Sequence, residues 1–152
     1  VHTLLVTQNL NTTAREAWQF LSQPGNLAEI TPPDMGFSVT SPVQPSMMYP
    51  GQVITYKVSP FKGIRSNWVT EITHVKEGSY FVDEQRFGPY RFWHHKHFIE
   101  ETESGVCMTD EVTYKLPFGF IGRLVNTLMV KGRLKKIFDY RQKILDDRFN
   151  RE

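Results

Sequence analysis

Cysteine occurs once in the 152 residues, at Cys107, so no disulfide can form within the chain. That excludes the stapled scaffolds of small secreted proteins and favours a reducing cytoplasm; in a strand-like run, a lone thiol is expected to be buried and inert. Charge of one sign is equally scarce: 18 Lys and Arg stand against 16 Asp and Glu, a formal net charge of +2. A nucleic-acid binder concentrates a far larger basic excess on one element, so no nucleic-acid partner is expected. No apolar run approaches the roughly 20 residues of a membrane span, and the opening VHTLLVTQNL has neither the basic start nor the longer apolar core of a signal peptide. Internal repeats, low-complexity tracts and linkers are missing too, which leaves a single domain over residues 1–152.

Aromatic residues are what the chain has in abundance: eleven Phe, six Tyr and three Trp, 13% in all. Such large rigid side chains suit a core or an apolar pocket equally well. Residues 2 to 10 read as a strand, and NTTAREAWQFLSQPG starts a helix with Thr13 as N-cap and Glu16 as its capping-box partner. A second short helical turn fits NLAEI. From residue 35 to 116 the apolar period is two, in six strand-like segments separated by turns such as YPG, FKG, KEG and FGP, so an antiparallel meander is the economical topology. After PFG the period returns to 3.6 from about 120 to 147; as one helix that stretch is roughly 40 Å long, with Gly132 marking a bend or a close approach to the sheet. The fold class is therefore α+β: a curved antiparallel sheet of about six to seven strands wrapped around a long C-terminal helix, with two short helices after the first strand. A curved sheet and one helix rarely fill the space between them, so a cavity is expected there.

The order of these elements, together with D-x-Q-x-x-G-P-Y at Asp83, Gln85, Gly88, Pro89 and Tyr90, W-x-H-x-H at Trp93, His95 and His97, and the run Asp110, Val112, Tyr114, Pro117 and Gly119, resembles the START and birch-pollen-allergen-like superfamily, the SRPBCC or helix-grip proteins. Within it the chain is similar to bacterial single-domain members of ligand-binding or polyketide cyclase/dehydrase-like type. The resemblance covers nearly the whole chain and implies a helix-grip fold with a cavity for a small hydrophobic or amphipathic ligand. It selects no reaction, because one superfold hosts many functions.

The segment PYRFWHHKHFIEE carries three histidines, and strand alternation places His95 and His97 on one face with Trp93 while His94 points away. With a two-residue turn at Ser104-Gly105, Ile99 would face Asp110, His97 would face Val112 and His95 would face Tyr114; Asp110 would then be diagonal to His97, roughly 7 to 8 Å away between backbones. The preceding hairpin brings Asp83 and Gln85 alongside. The expected inner wall thus carries Asp83, Gln85, His95, His97, Asp110 and Tyr114 amid Phe81, Trp93 and Ile99, with Trp68 at a pocket mouth or a strand start.

Buried without partners, such groups cost on the order of 1 to 3 kcal/mol each, so they must bond one another, a ligand or water. Three readings follow. The groups form a self-satisfied network, or they anchor the polar end of an apolar ligand, or His95 or His97, oriented by Asp110, works as a general acid/base on a carbonyl substrate. No nucleophile or cofactor motif is present. A metal would need a third ligand beside the two histidines, with His74 or Asp110 the only guesses. Lys131, Arg133, Lys135, Lys136, Arg141 and Lys143 are expected on the solvated face of the last helix, with attraction to a membrane surface as the weaker alternative; a protein-interaction module with a filled core, binding through this basic helix, is a further functional alternative.

Overall fold

A computed structural model describes residues 1–42, 47–61 and 64–151. Strand β1, His2–Leu10, alternates its exposure residue by residue. Thr13 then caps helix α1, Ala14–Leu21: its hydroxyl accepts the Glu16 amide at 3.2 Å while the Glu16 carboxylate accepts the Thr13 amide at 3.2 Å. These reciprocal bonds satisfy the orphan donors of the first turn. Where a second short helix is expected, the chain makes two 3-10 turns, Pro24–Ala28 and Pro33–Met35. Each opens on a proline, whose fixed φ suits a turn start but whose ring cannot continue a preceding helix.

Six more strands follow: β2 Ser38–Val39, β3 Val53–Phe61, β4 Ile64–Lys76, β5 Tyr80–Phe87, β6 Phe92–Thr102 and β7 Gly105–Lys115. All pair antiparallel in the order β1-β7-β6-β5-β4-β3-β2, so the first strand closes against the last and the meander runs outward from there. One irregularity in the β3–β4 pairing and two in β4–β5 bend the sheet into a concave surface. The architecture is the helix-grip α+β fold. Lys62 and Gly63 of the FKG turn lie outside the described residues.

The β6–β7 register differs from the sequence expectation by two residues. Thr102 pairs with Gly105, so the turn residues are Glu103 and Ser104, and Gly105 begins the next strand at φ 147°. A side chain at Gly105 would run into the Leu10 carbonyl of β1, which explains why this position belongs to the strand and is a glycine. In consequence His97 lies directly opposite Asp110, and His95 opposite Val112.

The long C-terminal helix runs without a gap from Gly119 to Phe149 but changes type along its length. It comprises α2, Gly119–Val125, a π turn over Asn126–Val130, and α3, Lys131–Phe149. Gly132 makes no close approach to the sheet, since a Cβ there would meet nothing within 4 Å. The tight glycine is Gly122, where a Cβ would run into the Pro117 carbonyl. No described helix is long and apolar enough to cross a membrane.

The core at the closed end joins Leu10, Trp18, Phe20, Ile72, Met108 and Leu145. Cys107 is half-buried, contrary to the expectation of a buried thiol, because it pairs with Asn9 and Glu100 on the face turned away from α3.

Candidate functional site

Between the sheet and α3 lies a cavity of about 160 Å³. Its walls come from four sources: Leu27, Ile30 and Met35 from the 3-10 turns and the segment between them, Tyr56, Val58 and Trp68 from β3 and β4, Tyr90 and Trp93 from the β5–β6 corner, and Leu134, Ile137 and Phe138 from α3. The aromatic side is internally braced. Trp68 stacks on Tyr56 at 5.9 Å and meets Trp93 edge to face at 5.3 Å, and the Trp68 indole N–H and the Tyr56 hydroxyl both bond Thr70 Oγ1 at 3.0 Å. Burial pushes the Tyr56 and Tyr90 hydroxyls above their ordinary pKa, so both stay neutral.

One patch of this wall is polar. Because β5 and β6 pair with Asp83 opposite His95, and β6 and β7 with His97 opposite Asp110, four side chains converge on the concave face. The two imidazoles lie against each other, centroids 3.7 Å apart, with a carboxylate on either side. On one side His95 Nε2 and His97 Nδ1 each lie 2.9 Å from Asp110 Oδ1. On the other, His97 Nε2 is 2.8 Å and His95 Nδ1 3.5 Å from Asp83 Oδ2. Phe81 stacks on His97 at 4.1 Å and fixes the ring from behind. Asp83, His95 and His97 line the cavity, whereas Asp110, 1% exposed, lies beneath them.

A fifth member comes from the helix. Arg141 is 7% exposed, and its Nη2 lies 3.3 Å from both Asp110 Oδ1 and His97 Nδ1. It does not sit on the solvated face of α3, because Leu134, Phe138, Arg141 and Leu145 recur at helical spacing and all turn inward. That spacing is legible in the sequence, where Arg141 interrupts the apolar stripe. Arg133 is likewise drawn in: it lines the cavity, donates to the Pro60 carbonyl at 3.0 Å and reaches Asp34 at 2.6 Å.

The cluster's electrostatics follow from its geometry. Carboxylates only accept, so a ring nitrogen pointed at one carries a proton. Burial opposes charge on His97, but its bonds to Asp110 and Asp83 outweigh burial and raise its pKa above the ordinary value. His95 moves the other way, lowered by burial and by the neighbouring His97 charge. Burial raises the pKa of Asp83 and of Asp110, yet both end lowered: Asp83 by the His97 bond and the histidine charges, Asp110 well below its ordinary value by the Arg141 charge and both histidine bonds. The two carboxylates are thus compensated inside the cluster, by the guanidinium and by two imidazoles whose pKa values are pushed in opposite directions.

The remaining sequence candidates sit apart from this cluster. Gln85 does not enter the cavity; its side-chain amide donates to the Tyr90 carbonyl at 2.6 Å and accepts the Tyr90 amide at 3.2 Å, clamping the loop that presents Tyr90. Tyr114 is buried against Tyr90 and Trp93, one layer behind the wall, and Trp68 is a wall residue. His74 is exposed and meets Thr73 on the outer face of the sheet. Tyr56, Met35 and Ile30 carry no motif that a sequence reading could have singled out.

No family model and no curated protein matches the chain. Solved structures do. A Chromobacterium violaceum protein superposes over 100% of both chains with a TM-score of 0.75 at 10% identity. A Thermus thermophilus protein covers 97% of this chain and 96% of its own, with a TM-score of 0.73 at 12% identity. A point mutant of Thalictrum norcoclaurine synthase, solved in complex with a transition-state analogue, covers 97% and 95% with a TM-score of 0.66 at 13% identity. At such identities the likeness is one of fold.

Proposed function

We propose that this protein is a helix-grip protein of the SRPBCC type that binds one small amphipathic molecule between its sheet and α3, the apolar body against Trp68, Trp93 and Phe138 and the polar end against Asp83, His95 and His97. The observation that carries this reading is the convergence of a polar cluster with opposed pKa shifts on one patch of an otherwise apolar cavity. Size narrows the ligand class. A cavity of about 160 Å³ resembles the roughly 150 Å³ that accommodates benzene elsewhere, so a single ring or the end of a chain fills it. The single half-buried cysteine suits a reducing compartment such as the cytoplasm.

A lipophilic fluorescent dye should bind in a one-to-one complex, and native mass spectrometry of freshly purified protein should reveal a co-purified small molecule. Val130→Phe, which places a ring into the cavity wall, should abolish dye binding at a stability cost of about 1 to 3 kcal/mol. Unchanged dye affinity in that variant would overturn the cavity reading. One specific observation also favours a second reading, acid/base catalysis: two imidazoles lie 3.7 Å apart between two carboxylates, and their pKa values are pushed in opposite directions. For that reading, His95→Gln must stop turnover of an identified substrate while leaving its binding nearly intact.

A further inference from the structure

His95 and His97 each use one nitrogen on the same oxygen. His95 Nε2 and His97 Nδ1 both lie 2.9 Å from Asp110 Oδ1, so Asp110 fixes both rings at once and determines which nitrogens face the cavity. Those are His95 Nδ1 and His97 Nε2, and the third atom there is Asp83 Oδ2, 3.5 and 2.8 Å away from them. One ligand atom from each of Asp83, His95 and His97 lies within 4.8 Å of the others. Three donors bound to one ion at about 2.1 Å lie about 3.0 Å apart in octahedral and 3.4 Å apart in tetrahedral geometry, and the two distances to Asp83 Oδ2, 2.8 and 3.5 Å, bracket these values.

The gap beside His95 is the second clue. His95 Nδ1 and Asp83 Oδ2 face each other across 3.5 Å, longer than a good hydrogen bond, and an ion bound to both would close that gap. The surroundings supply what such an ion needs: a carboxylate holding the far side of each imidazole, as histidine ligands of metals usually have, Arg141 balancing that carboxylate, and the Phe81 ring locking His97. The remaining coordination positions would open into the cavity.

We propose that Asp83, His95 and His97 bind a divalent first-row transition-metal ion, with Asp110 as the residue that orients both imidazoles. Two nitrogens and one oxygen on one face, with open positions, suit Zn²⁺ or Fe²⁺ and disfavour Ca²⁺ and Mg²⁺. On binding, the ion takes the place of the proton between His97 Nε2 and Asp83, which leaves to solvent. Two carboxylates, one guanidinium and a 2+ ion then sum to +1, which matches a cavity ligand bearing an anionic oxygen, such as a carboxylate or enolate. This inference shares its site with the ligand-binding reading and specifies the chemistry of that ligand's polar end.

The test is to strip the protein with chelator, remove the chelator, and titrate with Zn²⁺ by calorimetry and with Co²⁺ by visible absorption. One equivalent should bind, with a dissociation constant on the order of 1 μM or below. Asp110→Asn should weaken binding about 10- to 100-fold, and Asp83→Asn by at least as much, with near-ultraviolet circular dichroism verifying the fold. Histidine-ring nuclear magnetic resonance of the unmutated protein tests the inference without any variant. Zn²⁺ should move the His95 and His97 ring signals and leave those of His74 and His94, on the outer face, in place. Absence of saturable binding, full affinity in Asp83→Asn, or ring shifts at the outer histidines alone would overturn it. Dye binding in the presence of chelator separates the two proposals: dye retained without metal uptake sinks the metal site alone, and metal uptake without dye binding sinks the ligand reading alone.

Discussion

The two ends of the C-terminal helical stretch are built on opposite rules. The far end of α3 is gripped: Leu145 is 0% exposed, Gln8 and Asn150 exchange bonds with the backbone across β1 and α3, and Phe149 meets Phe20 edge to face at 5.9 Å. The near end stands away from the sheet. Phe118, Phe120, Ile121, Leu124, Leu128 and Met129 are all exposed, Phe120 by 71%, and Phe118 takes a left-handed φ of 66°. The cavity lies between the two, so stability is concentrated at one end of the grip while the other is left apolar and uncovered among the described residues. The molecule thus separates the part that must hold from the part that borders the binding space.

That contrast can be broken or sharpened. The largest effect is expected where the gripped half meets the sheet: Asp110→Ala leaves Arg141 and two histidines without their shared acceptor and should cost about 3 to 5 kcal/mol in urea unfolding. Next comes Leu145→Ala, a cavity in the closed core, at about 2 to 5 kcal/mol with an unchanged urea slope. A loss below about 1 kcal/mol there would contradict the assignment of stability to that end.

A smaller effect is expected from pH in metal-free protein. His97 has a raised pKa, so its stabilisation is complete below its unfolded value near 6.5 and is lost as pH rises through the folded value. His95 has a lowered pKa, so its contribution is present above 6.5 and is lost as pH falls through its folded value. The urea midpoint should therefore peak near pH 6.5, and His97→Gln should remove the alkaline fall. A midpoint that climbs steadily from about pH 6.5 to about 9 would contradict the raised His97. The smallest effect belongs to the open end: Leu124→Ser should change stability by no more than about 0.5 kcal/mol. A loss comparable to that of Leu145→Ala would mean that α2 is covered in solution by another copy of the chain.

Much of this was readable in advance, for local reasons. The capping box at Thr13 and Glu16, the period-two segments and the inward pair His95 and His97 each depend on neighbours in the chain. The hairpin between the two strands was expected to bring Asp83 alongside this pair, and Asp83 pairs with His95. Where the reading failed, a distant element decided. The β6–β7 register slipped because Gly105 serves the approach of β1 as well as its own turn, which places it in the strand. Arg141 looked like one more cation on a basic helix, and only the buried Asp110 opposite makes its inward position favourable. Gln85 belongs to the right motif and the right strand, yet the end of the β5–β6 pairing at Glu84 releases it to clamp Tyr90.

The π turn at Asn126–Val130 has a consequence for how α2 and α3 are coupled. A π turn carries one more residue than the corresponding α turn, and each residue advances a helix by about 100°. The wider turn absorbs that residue, so α2 and α3 keep nearly the phase that a continuous α-helix one residue shorter would give them. Excising a single residue from this turn should rewind the stretch into continuous α-helix and leave both the face bearing Ile121 and Leu124 and the hold of α3 on Asp110 nearly in place. A one-residue change of length at this point is thus tolerated by the outer apolar surface and the buried one alike.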